Sequence, residues 1–283
     1  MNRSFALVAV FAALSTAACA GTPEEQTAGA SADAVSQRGH RQKVAACEQA
    51  NEKEGGEAAS TVAMVEAEVN FTSCLTKAND AAVPMIESLL KENESASVGG
   101  VKAALDAARK SDAAYCEELD KASPDFGGSL QRVERAGCYA AREHFLAAII
   151  DDMVAFNGVE PTYIAEDRAN HTACYQAYDA TDAQSTAEMV GVNGDLVECI
   201  RKEMAPLLDA TAQTQVENDA SFGPLATAKT RLTAAVDAHT DQLGAFCGAI
   251  AEAGENGIGT LTRVSAAVCA VRVTEHAFAT LKQ

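Results

Sequence analysis

The sequence predicts an all-α protein: two tandem disulfide-linked four-helix modules behind a lipoprotein signal and a flexible tether. Three observations carry this. The chain is rich in Ala, with no Trp and six Pro, and it shows no run of β-branched alternation; Ala costs least in a helix. Apolar residues recur at three- and four-residue steps. Eight of the nine cysteines fall into two matched quartets.

Residues 1–18 read as a bacterial secretory signal, with Arg3 as the positive end and Phe5 to Leu14 as the apolar stretch. That stretch is shorter than the roughly 20 residues a spanning helix needs. Two cleavage patterns overlap. Ala18-Cys19-Ala20 fits a cut after Ala20, whereas Thr16-Ala17-Ala18-Cys19 fits a lipobox, in which Cys19 becomes the lipidated first residue. The polar run after Cys19 favours the lipobox, because residues 19–38 have the composition of a tether. With Ala20 after the cysteine, the expected location is the cell envelope, lipid-anchored at the periplasmic face of the outer membrane. The lipid is then the only membrane contact expected.

The formal net charge is −18, and removing residues 1–18 takes away one Arg and no acid. Such acidity argues against nucleic acid and anionic headgroups as partners, since both require basic patches. It favours a basic protein partner.

The duplication is legible from the cysteines. Cys47, Cys74, Cys116 and Cys138 are echoed by Cys174, Cys199, Cys247 and Cys269, with gaps of 27, 42 and 22 against 25, 48 and 22. Ser60-Thr61-Val62-Ala63-Met64-Val65 returns as Ser185-Thr186-Ala187-Glu188-Met189-Val190, and Leu130-Gln131-Arg132-Val133 as Leu261-Thr262-Arg263-Val264. The chain is a tandem repeat: residues 39–156, a turn-rich seam at Asn157 to Pro161, and residues 163–283.

Each repeat reads as four helices, the first of them centred near Cys47 in repeat one. The second, from Ser60 to Leu90, carries Val62, Val65, Val69 and Leu75 and is expected to break or kink at Pro84, with Asp80 capping the segment beyond it. Its counterpart is weakened by Gly191 and Gly194. The third shows Val101, Leu105, Ala108, Tyr115 and Leu119, with a step of seven across Asp112. The fourth shows Leu130, Val133, Gly137, Ala141, Phe145, Ile149 and Met153, with Ser129 as its N-cap after the breaker Ser123 to Gly128. Each repeat is expected to own its core and to fold alone.

No C-x2-C pairs for zinc and no redox C-x-x-C occur. An even set of cysteines in an exported chain reads as structural disulfides. Cys116 and Cys138 flank the turn near Phe126 symmetrically, so antiparallel helices would bring them level. The pairs expected are Cys116–Cys138 and Cys247–Cys269, with Cys47–Cys74 and Cys174–Cys199 by elimination.

The segments Cys116…Gly127-Gly128-Ser129-Leu130…Cys138-Tyr139-Ala140-Ala141-Arg142 and Cys247…Gly259-Thr260-Leu261…Cys269…Thr274 resemble the small helical, disulfide-bonded domain of the LprI-type lysozyme-inhibitor family. The resemblance implies a protein-binding role, with a basic lysozyme as the partner. Residues 108–115 carry neither the Trp nor the adjacent Arg-Asp pair usual in that family.

Other motifs carry little. Ser88-Leu89-Leu90-Lys91 matches S-x-x-K, but its companion motifs are missing. The five histidines (40, 144, 171, 239 and 276) form no close ligand pair. Glu143-His144 and Glu275-His276 read as solvated or capping pairs near a helix end, and Asp151-Asp152 and Glu117-Glu118 as ordinary carboxylates. No catalytic residue, cofactor or metal is called for. The expected function is a non-enzymatic envelope lipoprotein with protein-binding modules, first sought at the turns Ser123 to Ser129 and Ala253 to Thr260. The alternative is a structural or envelope-assembly lipoprotein with no hydrolase target.

Overall fold

The computed structural model describes residues 32–154, 168–254 and 259–282. The signal, Cys19, most of the tether and the seam lie outside the described residues. Among the described residues there are helices and no strands: α1 (Ala32–Glu57), α2 (Thr61–Glu92), α3 (Val101–Asp120), α4 (Gln131–Val154), α5 (Thr172–Asp179), α6 (Thr186–Asn218), α7 (Leu225–Ala251) and α8 (Thr260–Lys282), with one 3₁₀ turn at Ala220–Phe222. Among the described residues each repeat therefore supplies four α-helices. The tether, placed at residues 19–38, is shorter than expected, since α1 already begins at Ala32.

The Ser-Thr echo marks the start of each repeat's long helix. Ser60 and Ser185 are both extended, and each side chain accepts a hydrogen bond from the backbone N–H three residues on, that of Ala63 and of Glu188. In α6 the Glu188 carboxylate reaches back to complete a capping box. Those backbone hydrogen bonds hold its carboxyl below the ordinary glutamate value.

The expected break at Pro84 does not occur. α2 continues to Glu92, and α6 likewise passes through Gly191, Gly194 and Pro206. An interior Pro costs a helix about 3 kcal/mol. Burial of Val83, Ile86, Leu89 and Leu90 offsets this, each large side chain being worth roughly 1.5–3 kcal/mol. Asp80 caps nothing; it pairs with Arg109 of α3. Nor does Ser129 cap α4, which begins at Gln131 with the Leu130 carbonyl accepting its first bonds. The turn before α4 needs glycine, with Gly127 at φ +78° and a Cβ at Gly128 meeting the Asp125 carbonyl oxygen at 2.9 Å.

Four disulfides join Cys47 to Cys74, Cys116 to Cys138, Cys174 to Cys199 and Cys247 to Cys269, with Cα separations of 5.7–6.1 Å. All four lie within a repeat, so nothing covalent beyond the chain itself links the two halves.

The repeats nevertheless do not own separate cores. Within each repeat the second helix packs on the fourth, α2 on α4 and α6 on α8, while α3 packs along α7 of the other repeat. One apolar cluster unites Leu90, Leu105 and Ile149 with Leu243, Phe246 and Val273. In another, Tyr115 is the one fully buried member from repeat one, surrounded by Ile200, Met204, Leu232 and Phe278. A smaller cluster, Val44, Cys47, Leu75, Ala78 and Ala147, belongs to repeat one alone. The repeat boundary in sequence is thus not a boundary in the core.

The rims are fastened across the repeats as well. Asn93 donates to the Glu252 carbonyl at 2.6 Å, and Asn218 donates to the Lys121 and Ser123 carbonyls at 3.0 and 2.9 Å. A Cβ on Gly254 would lie 2.6 Å from the Met153 carbonyl oxygen, which fixes a glycine where α7 meets α4.

Candidate functional site

The polar residues of greatest interest sit between the repeats. His239 of α7 is fully buried and its Nδ1 lies 2.6 Å from Asp112 Oδ1 of α3. Its Nε2 faces Nη1 of Arg142 (α4) at 3.4 Å. A guanidinium can only donate, so His239 accepts through Nε2 and donates through Nδ1, which makes it neutral. Burial accordingly holds its pKa below the ordinary histidine value, with the Asp112 hydrogen bond opposing.

Arg142 Nη2 donates to Thr280 Oγ1 at 2.6 Å, and Thr280 in turn donates to the His276 carbonyl at 2.8 Å. The guanidinium lies 5.0 Å over the Tyr115 ring, which also stacks on His239 at 4.5 Å. The Tyr115 hydroxyl donates to the Ala277 carbonyl, and burial pushes its pKa up to about 12. Arg142 is 3% exposed, and burial lowers its pKa. Among the described residues its direct partners are all neutral, and its Nε–H has none.

In the register that superposes Cys116 on Cys247 and Cys138 on Cys269, Asp112 corresponds to Leu243, His239 to Ala108 and Arg142 to Val273. Those three counterparts all lie in the apolar core. The interface is therefore polar on one side of the duplication and apolar on the other.

Arg142 and Thr280 open onto a cleft of about 810 Å³ between α3, α4, α6 and α8. Its walls include the Cys116–Cys138 disulfide, Leu119, Pro124, Ala141, Leu207 and Leu281. His276 lies on the same floor, its ring tilted against that of Phe145 at 3.8 Å, with Nε2 unpartnered among the described residues. Burial first, then nearby Arg142, holds its pKa well below the ordinary value.

A second network is internal to repeat one. Glu143 (α4) takes Arg109 Nε at 2.5 Å and Asn79 Nδ2 at 2.9 Å, while His40 bridges Asn79 and Asp151. In repeat two, His171 meets Glu203 at 2.6 Å and Tyr175 donates to Glu275 at 2.5 Å. Glu143 and Glu275 are therefore buried and hydrogen-bonded, neither solvated nor capping. His144 pairs with Glu48, Asp152 with Arg272, and Glu118 with Lys121. Ser88 bonds only Glu92, on an exposed face.

The Ser123 to Ser129 turn is committed to the other repeat. Phe126 packs edge-on against Phe222 at 5.1 Å, and Asn218 holds the Ser123 carbonyl. Of the second turn, residues 255–258 lie outside the described residues. Among the described residues no group of three or more His, Cys, Asp and Glu could hold a metal ion, and no helix is long and apolar enough to cross a membrane.

No family model matches the chain, and neither a curated protein nor a solved structure matches it.

Proposed function

We propose that the chain is a cell-envelope lipoprotein that acts by binding another protein, with a basic lysozyme as the partner. The observation that favours binding over catalysis is the closure of the Asp112–His239 pair: His239 Nε2 is turned onto Arg142, so that pair presents no base to a substrate. Structural disulfides support export, and a net charge of −18 supports capture of a cationic protein. The resemblance of the Cys116 to Arg142 segment to lysozyme-inhibitor domains supplies the partner.

Two measurements test this. Intact-mass analysis of the native protein is expected to show a chain beginning at Cys19 with added acyl mass; a chain beginning at Gly21 would remove the anchor. In a cell-wall turnover assay, excess purified protein is expected to inhibit a lysozyme at low ionic strength. Because the Debye length shrinks to about 8 Å at 0.15 M salt, association should slow there by roughly ten-fold or more. No inhibition of any lysozyme type leaves the structural or assembly role in its place.

A further inference from the structure

We propose that the cleft between the repeats is a binding site for a small amphipathic carboxylate, its head on Arg142 and its apolar body along Leu119, Pro124, Leu207 and Leu281. This goes beyond the protein-partner reading and does not depend on it.

The argument starts from charge. Arg142 is a buried cation whose direct partners are a neutral imidazole, a hydroxyl and an aromatic ring, with Asp112 standing one residue further off behind His239. Among the described residues its Nε–H is left without an acceptor, and a buried unpaired donor is costly. A carboxylate on the cleft floor would supply both the missing acceptor and a direct counter-ion, and such charge-assisted bonds are the strong ones. His276 Nε2, also unpartnered on that floor, is a second polar contact for the head.

The other charges of the cleft set the orientation; of these, Lys282 donates to Asn170. Glu134 is engaged by Ser123, and Asp120 by Arg135 and Gln131 through Oδ2, with Asp120 Oδ1 left as an acceptor. That end repels a second carboxylate. It lies two helical turns along α3 from Asp112, on the order of 10 Å, so the anionic head belongs at Arg142 and the tail runs toward Leu119 and Pro124. The volume of about 810 Å³ falls within the range of small-molecule sites. The walls are mainly apolar, as such sites require.

The test is calorimetric titration of the purified protein with decanoate and, separately, with 1-decanol. Decanoate is expected to bind about ten-fold or more tightly than the alcohol. Arg142→Met should abolish that preference, whereas Arg142→Lys should retain part of it. Ala141→Trp, at an exposed wall position, should block both ligands while leaving the circular dichroism and melting temperature unchanged. This second variant decides the matter if Arg142→Met fails to fold. Equal affinity for acid and alcohol, absence of decanoate binding, or undiminished binding by Ala141→Trp would each overturn the site.

Discussion

A fragment of residues 39–156 is expected to show no cooperative melt, even with Cys47–Cys74 and Cys116–Cys138 oxidised. Tyr115 loses the buried apolar residues clustered with it, Ile200, Met204, Leu232 and Phe278 among them, all of which come from repeat two. Leu105, Phe145 and Ile149 lose the repeat-two side of their cluster, including Leu243, Phe246 and Val273, and keep only the side built by α2, α3 and α4. Uncovering part of four such large side chains removes several kcal/mol, since full exposure of one is worth roughly 1.5–3 kcal/mol, against a total stability of about 5–15 kcal/mol for an ordinary domain. The disulfides do not compensate. They restrict the unfolded chain but cannot bury the face that repeat two covered. The Val44–Ala147 cluster and the Glu143 network should keep some helix, visible in the far ultraviolet, without a sharp transition. The measurement is circular dichroism through a thermal ramp, beside the whole chain, which should unfold in one step. A sharp melt for the fragment would mean that the core divides at the seam after all.

The second large effect concerns the buried trio. Asp112→Ala takes the acceptor from His239 Nδ1–H and removes the carboxylate that faces Arg142 across that ring, and is expected to cost about 3–5 kcal/mol; Arg142→Met removes the cation from the same buried trio and should cost as much. The duplication supplies the rescue. Asp112→Leu, His239→Ala and Arg142→Val together copy the residues found at the equivalent positions, Leu243, Ala108 and Val273. Replacing a buried ionic cluster by packed apolar groups is often neutral or stabilising. The triple variant should therefore be more stable than either single one. Denaturant titration at pH 7 reads all of these. If the costs simply add, the trio is a set of independent contacts and not a unit.

Much of the fold was legible because it is written in local signals. The cysteine spacing carried the duplication, and the Ser60 and Ser185 echo carried two helix starts. What periodicity cannot state is which neighbour a face packs against. Of the α4 stripe only Phe145 and Ile149 are buried, Ala141 being exposed and Leu130 45% exposed, whereas Ala136, Ala140, Glu143 and Ala147 off that stripe are all buried. A helix buried on more than one face has partners on more than one side, and that was the sign of a shared core. Asp112 carried a similar sign. It interrupts an apolar stripe where a solvated carboxylate would be out of place, and the interruption meant a buried partner rather than a gap. His239 lies 127 residues away in sequence, beyond the reach of any spacing argument. Pro84 misled because the local cost of a proline is legible and the burial that outweighs it is not.

The one-sided interface has a consequence for how such a molecule can change. If two identical chains met through this surface, every substitution would be made twice, once on each side of the dyad. A buried Asp, His and Arg would then appear in duplicate, doubling the desolvation cost. Joining the halves in one polypeptide removes that constraint. One copy of the position keeps the packing, as Leu243, Ala108 and Val273 do, while the other is free to acquire charge. The cleft beside Arg142 lies where that freedom was used, and a search for novelty in related duplicated helical proteins should begin at the pairs where the two halves no longer agree.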